Sequence, residues 1–322
     1  MELKDSRLLV TPTSYGITNP SLKSDLEAIV KQVIYNPTGK PLSSDILATM
    51  LKGVDGFIAG LDTIDRASLE NADSLKIIAR YGVGIDNVDL EAAREKGIIV
   101  TNTPGANSVS VAELALGLML SLARQIPFAS QQVRQGNWPR ISGISLEGKT
   151  VGILGFGAIG KQLAQRLMGF NCQIQTFDPY PDIQFAKKHG VILMDSIDKV
   201  ISNADFVSLH MPLLPETKGM VNAGFLAKMK AGSFLINTSR GEAVNEIDLY
   251  EAIKSGHLRG AGLDAFVNEP PSVDNPLLTL PQVIVTPHHG AHTDGATNNM
   301  GKLAMDDCLA VLRGEEPKHR VA

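Results

Sequence analysis

Short apolar runs alternate with helical patterns along most of the chain, and this alternation limits the fold more than any other feature. Between Arg7 and about Pro104, the runs that indicate strands are RLLV, QVIY, GFIAG, LKIIARYG and GIIVTNTP. Helical patterns such as Leu90 to Lys96 lie between them. Parallel strands need helical crossovers, which then cover both faces of the sheet. The first third of the chain is therefore predicted to form a doubly wound parallel sheet.

A second series of strands and helices follows, so an α/β fold of two doubly wound parallel-sheet domains is expected. Its predicted helices include Ala158 to Met168 and Glu246 to Ser255. A last helix, from about Thr293 to Arg313, has no sheet of its own and should return to the first domain. The predicted domains are 1–105 plus 294–322, and 106–293. The strand runs of the second series are TVGILG, QIQTFD, VILM, DFVSLH, GSFLINTS, GAGLDAF and VIVTPH.

The helix predicted from about Val109 to Gln125 is apolar nearly all round. Such a helix is buried in a core, between domains or between subunits, and we expect a homodimer. Trp138, the only tryptophan, is interpreted as a packing or interface anchor and not as a substrate contact.

Composition excludes several classes of protein. The chain of 322 residues is long enough for two cores, and 43% apolar with 20% charged residues is ordinary globular composition. A formal net charge of −4 offers no basic surface for nucleic acid or anionic lipid. Cys172 and Cys308 lie outside any CxxC or Cys/His pattern. With no signal peptide or membrane-spanning run in the sequence, a soluble cytoplasmic protein with reduced thiols is expected.

A glycine motif predicts a dinucleotide site, because it follows the apolar strand VGIL and opens a helical pattern. The first glycine makes the tight turn, the second lets backbone approach the pyrophosphate, and the third lets helix and strand pack closely. Asp178 ends the next strand, where a carboxylate would bind the ribose hydroxyls and repel a 2′-phosphate; no basic residue follows before Lys187. NAD is therefore favoured over NADP. The motif consists of Gly155, Phe156, Gly157, Ala158, Ile159 and Gly160.

Three residues at or just past predicted strand ends have chemistry suited to hydride transfer: Arg240 in NTSRGE, Glu269 in NEPP and His288 in VTPHHG. A cation, a carboxylate and an imidazole could hold a 2-keto acid, polarise its carbonyl and supply a proton. Each could instead be an ordinary surface or loop residue. Their position favours function, since ligands bind beyond the carboxyl ends of strands in open α/β sheets.

The spacing of His288 and His292 could suggest a metal site. Pro287 and Gly290 make a regular helix there doubtful, however, and no nearby carboxylate completes a ligand set. No metal is predicted.

Several motifs in order resemble the D-isomer-specific 2-hydroxyacid dehydrogenases, most closely their phosphoglycerate-dehydrogenase-like branch. The resemblance extends from about Leu51 to the end of the chain. It implies a flavodoxin-like substrate domain and a Rossmann NAD domain with a cleft between them. The motifs are ARYGVGIDNVDLEAAREKGIIVTNTPGAN, GFGAIG with FDP, NTSRGE, GLDAF, EPP and TPHHGAHT.

The resemblance implies a role for each residue of the triad. Arg240 would bind the substrate carboxylate and carbonyl oxygen, His288 would be the acid/base, and Glu269 would hold the imidazole. Asp264 would hold the nicotinamide carboxamide. Val83 and Gly84 would bind the substrate carboxylate through backbone N–H groups, and Arg80 could reach a second anionic group. The remaining implied cofactor contacts are His210, Met211, Pro212, Thr238, Ser239 and Gly290.

The substrate stays open between 3-phosphoglycerate and hydroxypyruvate or glyoxylate. Phosphoglycerate enzymes of this family are expected to place a basic residue in the loop Ile58 to Asp62, which here has Gly60 and an acidic Asp62. Another cation could bind the substrate phosphate instead, and the candidates are Arg66, Arg80, Arg134 and Arg140.

A further alternative is an NAD-sensing corepressor-like scaffold without turnover.

Overall fold

The computed structural model describes residues 2–322 and divides the chain into two compact units. Unit 1 comprises Met1–Asn107 and Ala291–Ala322, and unit 2 comprises Ser108–Gly290. The strands of the described residues are β1 Arg7–Val10, β2 Gln32–Tyr35, β3 Gly56–Ala59, β4 Ile77–Arg80, β5 Ile99–Thr101, β6 Thr150–Leu154, β7 Gln173–Phe177, β8 Ile192–Leu193, β9 Phe206–Leu209, β10 Phe234–Asn237, β11 Gly260–Leu263 and β12 Val283–Val285.

The α-helices alternate with these strands. They are α1 Ser21–Ile29, α2 Ser44–Met50, α3 Leu90–Glu95, α4 Ser108–Arg124, α5 Ile126–Arg134, α6 Ala158–Leu167, α7 Ile183–Lys188, α8 Ile197–Asn203, α9 Ala223–Lys228, α10 Glu246–Lys254 and α11 Asp294–Arg313. Polar side chains fix several helix starts by accepting hydrogen bonds from first-turn N–H groups: Asp89 caps α3, Asn245 caps α10 and Thr293 caps α11.

Unit 1 contains a five-stranded parallel sheet in the order β2-β1-β3-β4-β5. All residues of β3 and β4 are buried, as expected for central strands that are covered on both faces. Helix α11 packs against β3, β4 and β5 of this sheet. The chain's last residues pair with β5, since Thr101 forms an antiparallel bridge with Arg320.

Unit 2 contains a seven-stranded parallel sheet in the order β12-β11-β10-β9-β6-β7-β8. The strand order reverses beside β6, which lies between β7 and the later strand β9. This reversal is the point at which ligands bind in doubly wound folds. The prediction of two doubly wound parallel sheets is confirmed.

The long apolar helix α4 is a core element of unit 2. It packs against α6, β10 and β11. Its buried face includes Ala112, Ala115, Leu118, Met119 and Leu122. Burial in this core explains the low polarity of the helix. Several large exposed apolar side chains lie on α5 and in the segment that follows it.

Among residues 2–322, no single helix is long and apolar enough to cross a membrane. Helices α4 and α5 reach that length and apolar composition only together, and a bend of 59° separates them. The same residues contain no group of three or more His, Cys, Asp or Glu side chains that could hold a metal ion.

Candidate active site

Six strands of unit 2 end in register at the same edge of the sheet. The last residues of β6, β7, β9, β10, β11 and β12 are directly paired with one another. The next residue along each strand therefore lies in one row, and most of the predicted cofactor contacts belong to this row or follow it. In sheet order the row is Thr286, Asp264, Thr238, His210, Gly155 and Asp178.

The glycine motif forms the turn from β6 into α6. Gly155 has φ +92°, and a Cβ there would lie 2.7 Å from the His210 carbonyl oxygen. A Cβ at Gly160 would lie 2.3 Å from the Gly155 carbonyl oxygen, so this glycine lets α6 approach the turn. Nothing lies within 4 Å of a Cβ built at Gly157. This open side, with the first N–H groups of α6 including those of Ala158 and Ile159, suits a pyrophosphate.

Asp178 is tied to the same turn. Its Oδ2 accepts a hydrogen bond from Phe156 N at 2.6 Å, and its Oδ1 accepts one from Tyr180 N at 2.8 Å. These bonds fix the carboxylate beside the glycine turn. Because a carboxylate has about four acceptor positions, ribose hydroxyls could still donate to it.

Two polar atoms in the row are buried without a hydrogen-bond partner in the described chain: His210 Nδ1 and Thr238 Oγ1. The other ring nitrogen of His210 lies 2.8 Å from Ser208 Oγ, and burial lowers the pKa of His210 to about 4. A buried polar group without a partner is costly, so a bound polar molecule would stabilise both sites. Together with the open glycine turn, the row fits a dinucleotide.

The segments after β9 and β10 complete this edge. The Pro212 carbonyl oxygen accepts a hydrogen bond from Thr217 Oγ1 at 2.7 Å, and Met211 packs against the core of unit 2. Ser239 is bound to Asn237 through both its N–H and its hydroxyl. The structure thus places the predicted cofactor contacts along one edge; their contact with NAD stays a prediction.

Asp264 holds the loop that carries His288. Its side chain is 2% exposed and accepts hydrogen bonds from Thr286 Oγ1 at 2.6 Å, His289 N at 3.0 Å and Gly290 N at 2.9 Å. His288 between these anchors has φ +47°, a left-handed conformation that is uncommon outside glycine. The carboxylate predicted to hold the nicotinamide carboxamide thus also fixes the backbone of the proposed acid/base.

His288 and Glu269 form a close pair. His288 Nδ1 lies 2.7 Å from Glu269 Oε2 and 2.9 Å from Oε1. The Glu269 carboxylate also accepts a hydrogen bond from Phe266 N at 3.1 Å, which orients it. The imidazole is 30% exposed, and the Nδ1 contact directs its Nε2 away from the carboxylate. Nε2 is therefore the atom that can exchange a proton with a ligand.

The pair shifts both of its pKa values. The hydrogen bond to Glu269 raises the pKa of His288 above its ordinary value, although burial and the charge of Arg240 act against it. Burial alone would raise the pKa of Glu269, but the hydrogen bond and charge of His288 outweigh it and lower that pKa. Arg240 lowers the pKa of Glu269 further. The structure thus brings together the three residues that the sequence singled out.

The Arg240 loop depends on residues that sequence reasoning did not assign. Asn237 Nδ2 donates to the Arg240 carbonyl oxygen at 2.8 Å, and Arg240 Nη1 donates to the Ser239 carbonyl oxygen at 2.9 Å. A Cβ at Gly241 would lie 1.9 Å from the carbonyl carbon of Phe266, so only glycine fits there. The NTSRGE motif contains both residues. The contacts of Asn237 are local, with residues two and three positions further along, whereas the contact of Gly241 with Phe266 is tertiary and has no signature in the sequence.

In unit 1, Arg80 lies next to the loop of Val83 and Gly84. Its guanidinium is buried and donates to the carbonyl oxygens of Ala59, Gly60 and Gly84. These bonds give Arg80 a role in shaping two loops, and its contact with a second anionic group stays a prediction. In the described chain, no hydrogen bond starts from the N–H of Val83 or Gly84, which suits binding of a carboxylate.

Comparison with known proteins agrees with the site. Residues 116–290 match the family described as D-isomer specific 2-hydroxyacid dehydrogenase, NAD binding domain. D-3-phosphoglycerate dehydrogenase of Methanocaldococcus jannaschii is 43% identical over 93% of this chain, which spans 57% of that relative's length. Hydroxypyruvate reductase of Thermotoga maritima is 38% identical over 88% of this chain and 94% of its own.

Among solved structures, the TT0316 protein of Thermus thermophilus superposes with a TM-score of 0.86. It is 36% identical, with 98% of this chain and all of that protein covered. The match to the NAD-binding domain, the identity to relatives over most of this chain and the shared fold agree with the motifs that carry the resemblance. The chain belongs to the D-isomer specific 2-hydroxyacid dehydrogenase family.

Proposed function

We propose that the protein is an NAD-dependent D-2-hydroxyacid dehydrogenase that interconverts a D-2-hydroxy acid and its 2-keto acid. The observation that carries this proposal is the His288–Glu269 pair at 2.7 Å, with the charge of Arg240 acting on both residues. All three lie in the unit that contains the NAD-binding domain.

The mechanism follows from the charge of each residue. Bound NAD supplies the acceptor or donor of the hydride. Arg240 binds the carboxylate and the carbonyl oxygen, and stabilises the negative charge that develops on that oxygen during reduction. Protonated His288 donates its Nε2 proton to the same oxygen, and neutral His288 removes it in oxidation. Glu269 holds the imidazole by Nδ1 and stabilises its protonated form.

The first test is a spectrophotometric assay of the full chain with NADH and a panel of 2-keto acids. The panel contains phosphorylated and unphosphorylated acids, and NADPH is assayed in parallel. We expect turnover of at least one acid, with NADH preferred because Asp178 would repel a 2′-phosphate. Turnover of no acid by a protein that binds NADH would refute the proposal.

Two substrate classes have support. The M. jannaschii relative supports a phosphoglycerate-dehydrogenase-like activity. The loop around Gly60, which has no basic residue for a phosphate, supports reduction of hydroxypyruvate or glyoxylate. A Cβ at Gly60 would lie 3.2 Å from Pro12 Cα, so a basic side chain has little room there. Arg66 is already bound to Glu95 through two hydrogen bonds. Asp62 faces inward and accepts from Leu42 N at 2.8 Å, so its charge is not directed at a ligand. Relative kcat/KM values for the phosphorylated and unphosphorylated acids separate the two activities.

An NAD-sensing scaffold without turnover is the candidate from another class. The paired His288 and Glu269 count against it, because a scaffold has no need for a histidine with a raised pKa beside a carboxylate. Nucleotide-dependent assembly without oxidation of NADH by any keto acid would favour this alternative.

We also propose that the protein is a cytoplasmic homodimer. Apolar side chains on and after α5 are exposed: Ile126, Phe128, Val133 and Trp138, which is 86% exposed. A surface cavity of about 650 Å³ lies among them, lined by Arg124, Ile126, Ala129, Ser130, Val133 and Arg134. A second copy of the chain would cover this surface. The free thiols of Cys172 and Cys308 fit a reducing compartment.

Sedimentation velocity tests the dimer. The wild-type protein should sediment as a dimer, and the double variant Ile126→Glu, Val133→Glu should sediment as a monomer. Ile192→Glu is a control at an exposed apolar residue elsewhere in unit 2. A monomeric wild-type protein would contradict the dimer.

A further inference from the structure

We infer that Asn237 is a positioning residue that sets the place of Arg240, an inference that rests on the proposed function. Asn237 is the last residue of β10, and its side chain is fully buried. The other three residues of this strand are apolar: Phe234, Leu235 and Ile236. The hydrogen bonds of the Asn237 amide explain why a polar side chain ends the strand.

Both the oxygen and the nitrogen of the Asn237 side-chain amide form hydrogen bonds with the loop that follows β10. Oδ1 accepts hydrogen bonds from Ser239 N at 3.0 Å and from Ser239 Oγ at 2.8 Å. Nδ2 donates to the Arg240 carbonyl oxygen at 2.8 Å. Because the acceptor and the donor bind consecutive residues, the amide fixes the path of the chain up to and including Arg240.

Among side chains of this length, only asparagine supplies both the acceptor and the donor that these bonds need. Aspartate keeps the acceptors for Ser239 but loses the donor, and its negative charge would face the Arg240 carbonyl oxygen. Leucine has neither group, so the Ser239 N–H and hydroxyl would lose this acceptor and the Arg240 carbonyl oxygen would lose its side-chain donor. The main chain of Asn237 is already used, since its carbonyl oxygen accepts from Asp264 N at 2.9 Å. The contribution of Asn237 to the loop therefore comes from its side chain.

The held loop also touches the segment that carries Glu269. Gly241 is so close to Phe266 and Val267 that a Cβ would lie within 2.4 Å of three of their backbone atoms. Phe266 N in turn donates to Glu269 Oε1 at 3.1 Å. The Arg240 loop therefore packs against the segment that orients Glu269.

The test compares Asn237→Asp with Asn203→Asp in the full chain. Asn203 Nδ2 also donates to a main-chain oxygen, that of Lys199 at 3.0 Å, but it lies on the surface of α8. The control therefore loses the same type of bond and gains the same charge far from the site. Asn237→Ser is a second variant that adds no charge, and NADH affinity by fluorescence checks that unit 2 is folded.

We expect Asn237→Asp to lower kcat/KM for the preferred keto acid by about 10- to 100-fold, since small displacements of a catalytic group have effects of that size. NADH affinity should stay within about threefold of wild type, and Asn203→Asp should match wild type. In an Arg240→Ala background, Asn237→Asp should lower the residual kcat/KM by less than about twofold, because a residue that acts through Arg240 has nothing left to position.

An equal loss from Asn237→Asp with and without Arg240 would overturn the inference, as would unchanged kcat/KM in both Asn237 variants. If Asn237→Asp fails to bind NADH, Asn237→Ser in the two backgrounds decides between the same outcomes. Absence of turnover in the wild-type enzyme would refute the proposed function instead, so the two failures are distinguishable.

Discussion

Arg80 in unit 1 and Arg240 in unit 2 both lie at the carboxyl end of a parallel strand, yet they are used in opposite ways. The guanidinium of Arg80 is buried and donates to three backbone carbonyl oxygens, so the cation itself holds the loops. At Arg240, a neutral amide holds the loop, and the charge acts on His288 and Glu269. A charged residue at a strand end is thus a candidate for chemistry when something else supports its loop.

The largest effect on activity is expected at Arg240, whose charge acts on the site. Arg240→Ala should lower kcat/KM by about 10³-fold, the upper range for loss of a group that stabilises a developing oxyanion. Arg240→Lys should recover part of the activity, because it restores the charge without the planar fork. Steady-state kinetics with the preferred keto acid provide the measurement, and Arg313→Ala on the exposed end of α11 is the control. Near-normal turnover by Arg240→Ala would remove the basis of the proposed mechanism.

Arg80→Ala should instead reduce stability, because it removes a charged donor from each of the carbonyl oxygens of Ala59, Gly60 and Gly84. We expect unit 1 to lose about 2–4 kcal/mol, with NADH affinity unchanged. Hydrogen exchange of the β3 and β4 amides would report the loss, and Arg94→Ala on the exposed side of α3 is the matched control. If Arg80→Ala is as stable as wild type but has a high KM, Arg80 contacts the substrate as the sequence suggested.

The features that could be predicted from the sequence are those with a regular period or a local motif. Strands in β3 and β4 are short apolar runs, and the glycine motif has fixed spacing, so both could be read without coordinates. Asn237 binds residues two and three positions further along, and the asparagine before Ser239 was a local turn signal that the motif offered. The anchoring of the His288 loop by Asp264 could not be predicted, because its partners are set by which loops meet at the sheet edge. The burial of Arg80 was hidden for the same reason, since a sequence does not show which way a strand-end side chain faces.

The His288–Glu269 pair predicts a shift in pH dependence. Reduction needs protonated His288, so its rate should fall as pH rises through the raised pKa of His288. Glu269→Gln removes the carboxylate that raises this pKa, so the falling limb should move to lower pH, with kcat reduced by about 10- to 30-fold at neutral pH. Profiles of kcat/KM against pH for both enzymes provide the measurement. An unmoved limb would mean that another group titrates.

The same pair contributes to stability within a defined pH range. The raised pKa of His288 makes its contribution present below the ordinary histidine pKa and lost as pH rises through the folded value. The lowered pKa of Glu269 makes its contribution present above the ordinary carboxyl pKa and lost as pH falls through the folded value. Glu269→Gln should therefore destabilise the protein most between these two limits.

The smallest effect is expected at Gly60, where the comparison concerns space and not charge. Gly60→Ala would place a Cβ 3.2 Å from Pro12 Cα and 3.4 Å from Asp62 Oδ2, so the loop must shift by a few tenths of an ångström. We expect a loss of about 1 kcal/mol. Gly169→Ala is the control, because nothing lies within 4 Å of its Cβ and its stability should be unchanged or slightly higher. Thermal unfolding distinguishes them. If Gly60→Ala is harmless, the loop can yield, and a basic side chain at position 60 becomes a direct way to test whether a cation there shifts the preference toward phosphorylated acids.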